Sequence, residues 1–377
     1  MSRWRRESPT LLSLALVILF ALPGAVRAEE LTISNVRPNS VRLDPTKGET
    51  LQLSFQLNSP AQVKLQVYDG RELLVREIKD AAPAKAGDRA LSWDLRDQAG
   101  KVVPPEAYTY VLEAQGRDGK VVRYDLADAT GGQTVAARDV HVDKTSGEIS
   151  YVLDRPARVN VRVGLNNAGP LLRTLIDWVV RPAGQQVERW NGKDASEVLD
   201  LAAHPRLHVS VQAFSLPENS ILVGEPRQQV QLIPGLSAQA QQRPKSGTQA
   251  RRMYSHAQQP LESRGDFKVL WTLPSLPRSS SGLPIVTAVT PVRLDVHQAD
   301  RERALSRRFE PVFFIDGQFA FENEVGFVPM TWNFDPSALN EGEHFLTVNL
   351  RGYEGNFGMA TLKVWVQRAA EPGRARQ

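Results

Sequence analysis

Cysteine is absent from the 377 residues. That absence removes disulfides, thiolate zinc sites, iron–sulfur clusters, covalent haem and cysteine nucleophiles at once. The strings G-x-S-x-G, G-x-x-x-x-G-K-[ST] and G-x-G-x-x-G are missing as well, so a hydrolase elbow, a P-loop and a dinucleotide site have no support. Charge of one sign is not in large excess, the formal net charge being +4. Long apolar runs are confined to 11–22, and helical 3.6-residue patterns are few. With Gly 26 and Pro 25 the chain is not collagen-like. What remains is ordinary globular composition, 41% hydrophobic and 23% charged, and a length that accommodates two to four domains.

The first residues read as a secretory signal peptide over 1–28. SRWRR forms a basic start, LLSLALVILFAL (11–22) an apolar core, and Pro23 and Gly24 break it before AVRA. A twelve-residue apolar stretch falls short of the ~20 residues that a bilayer core demands, so cleavage after Ala28 is expected rather than anchoring. The segment carries Arg3, Arg5, Arg6 and Arg27 against Glu7, and its loss lowers the net charge by three, to about +1. A nearly neutral mature chain gives no reason to expect nucleic acid or an anionic membrane as partner. The expected location is periplasmic, or secreted to the cell surface, with no transmembrane segment in the mature chain.

The rest is rich in short alternating runs. Val63, Leu65 and Val67 alternate with Gln62, Lys64 and Gln66, which gives a strand one apolar face. An internal repeat reinforces this pattern. SFQLNSPAQVKLQVYD (54–69) aligns with SYVLDRPARVNVRVGL (150–165) at an offset of 96 residues, and AGDRALSWDLRD (86–97) with AGQQVERWNGKD (183–194) at 97. Trp93 then stands opposite Trp190. Two successive copies of one sandwich unit explain the alignment.

The order of REL (71–73) followed by LSWDLRDQAGKVVPPEAYTYVL (91–112) resembles the Ig-like domain of flagellar hook-capping proteins. The likeness covers 31–116 well and 147–215 more weakly, since the second unit lacks the Tyr-x-Tyr ending. It implies a fold, because such modules serve structural and interaction roles in unrelated exported proteins. Trp332, Asp335, Leu339, Gly342, His344, Leu346 and Val348 form a pattern that resembles further bacterial Ig-like modules. The expected organisation is therefore all-β, with tandem Ig-like β-sandwich domains joined by linkers. The signal peptide spans 1–28, the first sandwich 29–116, a connecting segment 117–146, and the second sandwich 147–233. A flexible linker over 234–266, rich in Gln, Ala, Ser and Arg, leads to the third sandwich at 267–368 and a disordered tail at 369–377.

Candidate chemistry is sparse. His204 and His208 have metal-like spacing, but Pro205 and the strand that follows deny them a shared helical face. DLRD (94–97) and NGKD (191–194) lack the oxygen spacing of a calcium loop and suit Asx turns. No cofactor, metal site or catalytic residue is expected, although a carboxylate pair assembled from distant strands is a third reading. The basic run Arg243, Lys245, Arg251 and Arg252 reads as solvated linker, with anionic polysaccharide as the rival. Phe314, Phe319, Phe321 and Trp332 are the candidate ligand platform: alternation sets Phe319 and Phe321 on one face, with Phe314 across a hairpin at Asp316-Gly317. The function these observations favour is an exported, non-catalytic scaffold or accessory protein acting through protein–protein contacts in a bacterial envelope or surface assembly. The alternative is a carbohydrate-binding protein using the Phe-rich third domain.

Overall fold

The computed structural model describes residues 30–130, 132–225, 233, 236, 241, 243, 265–353 and 355–368. Strands dominate because the apolar alternation is realised residue by residue: LQLSFQL of Leu51–Leu57 reads buried, exposed, buried along its whole length. The described chain forms three two-sheet sandwiches, each around its own apolar core.

The first sandwich contains β1 (Ile33–Pro38), β2 (Arg42–Leu43), β3 (Leu51–Leu57), β4 (Ala61–Tyr68), β5 (Leu74–Lys79), β6 (Gly87–Trp93), β7 (Ala107–Gly116) and β8 (Val121–Asp125), followed by the short helix α1 (Leu126–Ala129). One sheet has the order β1-β3-β6; in the other, β7 pairs with β4 and β4 with β5. The second sandwich contains β9 (Thr134–Val135), β10 (Arg138–Asp143), β11 (Glu148–Leu153), β12 (Ala157–Leu165), β13 (Leu171–Arg181), β14 (Gly184–Arg189) and β15 (Leu207–Ser215). Its sheets, β10-β11-β14 and β13-β12-β15-β9, repeat the pairing of the first. The repeat extends to single hydrogen bonds. The Trp93 indole N–H donates to the Arg96 carbonyl at 2.8 Å, and that of Trp190 to the Lys193 carbonyl at the same distance. In the second copy the Trp190 carbonyl lies so close to Gly147, whose φ is +69°, that an added Cβ would meet it at 2.1 Å. Only glycine fits there.

Two expected boundaries need correction. The segment 117–146 is not a connector: β8 continues β7 through a turn at Gly119, and β10 takes in the second sandwich the place of β1 in the first. The second unit also does not extend to 233. After β15 the chain returns to the first sandwich, where β16 (Ile221–Val223) inserts between β2 and β7, parallel to one and antiparallel to the other. Leu222 N–H donates to the Val41 carbonyl and Val223 N–H to that of Glu106. Ile233 and Leu236 pack on the same core.

Arg243, read from sequence as solvated, is 3% exposed. Its backbone N–H donates to the Glu72 carbonyl, its guanidinium to the Thr109 hydroxyl, and it lies 5.0 Å over the Tyr68 ring beside Asp125. An aromatic face and a carboxylate give a guanidinium a desolvated place that composition does not reveal. Most of 234–266, the rest of the basic run included, lies outside the described residues.

The third sandwich is built from β17 (Val269–Thr272), β18 (Ile285–Val286), β19 (Thr290–Val296), the helix α2 (Gln298–Leu305), β20 (Phe309–Ile315), β21 (Gln318–Glu322), β22 (Met330–Phe334), β23 (Gly342–Gly352) and β24 (Phe357–Val366). Its sheets are β17-β19-β22 and β18-β24-β23-β20-β21. Among the described residues no helix is long and apolar enough to cross a membrane.

Candidate interaction surface

The Phe-rich hairpin is built by its turn. Asp316 and Gly317 have φ of +50° and +73°, the two positive values that a two-residue turn between right-twisted strands requires. The Asp316 carboxylate accepts from the Phe345 N–H at 3.0 Å and meets His344 Nδ1 at 2.6 Å, which fixes the tip to β23. Burial would lower the His344 value, but its hydrogen bonds to Asp316 and to the Asn340 carbonyl hold it above the ordinary range. From the second sandwich, Arg206 donates to the Gly317 carbonyl at 3.3 Å.

The four platform residues do not share one surface. The register shifts between Phe313 and Phe314, so Phe313 pairs with Phe321 and Phe314 with Phe319, leaving Ala320 as the extra residue of a β-bulge. Directly paired residues share a sheet face and consecutive residues do not. Phe321 therefore stacks on Phe313 at 5.8 Å, and Phe313 on Trp332 at 5.2 Å, along the core side. Phe319 meets Phe314 edge-on at 6.5 Å on the opposite side. Phe314 is 5% exposed, whereas Phe319 and Phe321 are 55% and 45% exposed. The alternation read from sequence assumed no bulge, and one extra residue reverses which face each following side chain takes.

Among the described residues β21 pairs only with β20, so its outer edge is free. All five of its residues are exposed. Val325 and Phe327 beyond it are exposed too, and the Asn323 N–H donates to the Pro311 carbonyl, which keeps this segment beside β20.

The polar candidates are engaged in turns. Asp97 accepts from the N–H groups of Ala99 and Lys101, and Asp194 from those of Ser196, Val198 and Leu199. His204 Nδ1 accepts from the Arg206 N–H, while His208 lies exposed on β15. No group of three or more His, Asp or Glu is poised to hold a metal among the described residues.

Two seams between sandwiches escaped the sequence reading. At the first, Arg158 of β12 meets Glu106 at 3.0 Å, both side chains buried, beside an apolar cluster of Ala107, Val180 and Leu222. At the second, the Asn349 amide on β23 accepts from the Leu171 N–H at 2.8 Å and donates to the Leu171 carbonyl at 2.7 Å. Arg162 donates to the Gly355 carbonyl, lies 4.3 Å over the Phe357 ring and reaches Asp266 at 4.0 Å. Such contacts have no local signal: Asn349 and Arg162 read as polar positions on alternating strands.

Burial pushes the Asp266 carboxyl up to about 6, against the pull of Arg162. A carboxyl raised in the folded state holds its proton there more tightly than in the unfolded chain, so it adds stability as pH falls from about 6 toward 4. Asp266→Asn mimics the protonated form. Its stability advantage over the natural chain is expected to be largest above pH 6 and to shrink on acidification. Urea midpoints for both chains between pH 4 and 8 test this; a difference that stays constant or grows on acidification contradicts it.

Residues 38–118 match the FlgD Ig-like domain family. No curated protein matches the chain. Among solved structures, FlgD from P. aeruginosa is similar at 21% identity and a TM-score of 0.21, over 33% of this chain and 83% of that one. The fibronectin(III)-like modules of Clostridium thermocellum CbhA are similar at 11% identity and a TM-score of 0.20, over 92% of this chain and 100% of theirs. A tetra-tandem repeat from the extending region of a large adhesion protein is similar at 14% identity and a TM-score of 0.20, over 89% and 74%. The first sandwich thus resembles the Ig-like domain of hook-capping proteins, and the chain is all-β with tandem Ig-like sandwiches.

Proposed function

We propose that this chain is an exported, non-catalytic scaffold or accessory protein that acts through protein–protein contacts in a bacterial envelope or surface assembly, periplasmic or at the cell surface. The observation that carries the reading is the way the sandwiches are tied together. The chain leaves the first, builds the second, and returns through β16 to the first, while the third is bolted to the second by Asn349 and Arg162. Such an arrangement suits a part that holds surfaces at fixed separations, and strand edges left unpaired among the described residues, such as those of β21 and β14, are places where partners can pair. Ig-like modules are generally non-catalytic, and the carboxylates singled out from sequence are occupied as turn caps. The burial of Phe314 and the bulge at Ala320 favour this reading over the carbohydrate alternative, which would use several exposed rings on one face.

Photo-crosslinking in intact cells, from probes placed along the exposed strand edges of all three sandwiches, tests the reading. Discrete protein adducts are expected. Adducts with glycan alone, or none from any edge, would overturn it.

A further inference from the structure

We infer that the free edge of β21 takes an extended, apolar strand of another protein whose interleaved residues are lysine or arginine; this deepens the scaffold reading and rests on it. A free edge presents unpaired backbone N–H and C=O groups that an incoming strand can satisfy. Natural edges are usually blunted by lysine, proline or a covering loop. QFAFE of β21 has none of the first two, and all five residues are open to solvent. Its bulge sets one half-exposed ring on each face, Phe321 backed by Phe313 and Phe319 by Phe314. An added strand would therefore find an aromatic neighbour for its side chains on both faces. Val325 and Phe327 prolong the apolar edge.

Charge selects the occupant. Glu322 and Glu324 are exposed along this edge, and Glu310 lies on the neighbouring β20, bonded to the Tyr353 hydroxyl. Asp316 at the hairpin tip adds a fourth carboxylate, shared with His344. Opposite charges across a strand pair stabilise it and like charges directly opposed destabilise it. A second copy brings the same carboxylates to the shared edge and so lacks the complementary charge. Antiparallel self-pairing about Ala320 sets Glu324 against Asp316, and pairing about Glu322 sets that carboxylate against itself. A basic, apolar strand meets the carboxylates without conflict.

The probe is a labelled ten-residue peptide of alternating valine and lysine, titrated onto the full chain by fluorescence anisotropy. Two comparison peptides carry N-methylated amides along the pairing side, or glutamate in place of lysine. Each is expected to bind at least about tenfold more weakly, which corresponds to about 1.4 kcal/mol. In Glu322→Lys/Glu324→Lys, both positions being exposed, the preference between lysine and glutamate peptides should invert while thermal unfolding stays where it was. On the natural chain, hydrogen exchange should slow in β21 on binding and stay unchanged at β14, another edge unpaired among the described residues. Equal binding of the N-methylated peptide, an unchanged charge preference, protection at β14 instead of β21, or no binding would each overturn the assignment. If protein adducts still form from other edges in cells, the scaffold reading stands and only this edge assignment falls.

Discussion

Replacing Trp93 with alanine is expected to remove about 3–5 kcal/mol from the stability of the first sandwich, the cost of deleting a large, fully enclosed side chain. Trp93 is 0% exposed and sits on β6 opposite Leu51 of β3. Its ring meets Tyr108 edge-on at 5.3 Å, and its indole N–H is satisfied by the Arg96 carbonyl. Alanine therefore opens a cavity and leaves a carbonyl of the following turn without its donor. Trp190→Ala should damage the second sandwich in the same way, because its N–H makes the equivalent bond to Lys193. Hydrogen exchange read separately in β3 and β11 under rising urea distinguishes the two. A loss below about 1 kcal/mol at either site would contradict the equivalence of the repeats.

Glu106→Ala is expected to cost a similar amount, about 3–5 kcal/mol, by a different route. Arg158 and Glu106 are both almost fully buried at the first seam, so deleting the carboxylate strands a guanidinium away from water. The carboxylate also accepts from the Ala107 N–H at the start of β7. Replacing both partners, Glu106→Leu with Arg158→Met, should recover most of the loss, because it removes the uncompensated charge together with its partner. Unfolding monitored in both sandwiches should show them separating in the single variant and melting together in the double one. A single variant that loses less than about 1 kcal/mol, or a double variant worse than the single, would contradict the role assigned to the pair.

The parts of this molecule that were legible in the sequence are those set by near neighbours. Alternation placed β4, the Asp-Gly pair placed the β20–β21 hairpin, and the internal repeat placed Trp190 opposite Trp93. Each depends on a few adjacent side chains or on a turn's backbone preference. What stayed hidden depends on partners far along the chain. β16 is three residues long and takes its identity from β2 and β7, more than a hundred residues earlier. Arg243 is buried because Tyr68 and Asp125 happen to offer a face and a charge. The bulge at Ala320 is one residue of excess in one strand, yet it moves Phe319 away from Phe321 and dissolves the platform that strict alternation implied.

The proposed function requires the three sandwiches to form one scaffold with fixed separations rather than beads on a string. The absence of cysteine makes a direct measurement straightforward, since any thiol introduced is the only kind present. Spin labels on Val102→Cys/Val289→Cys, exposed positions in the first and third sandwiches, allow the distance between the outermost units to be read by double electron–electron resonance. A single narrow distance distribution is expected, broadening when Glu106→Ala is added at the first seam. A broad distribution in the otherwise natural chain, unaltered by that change, would contradict it.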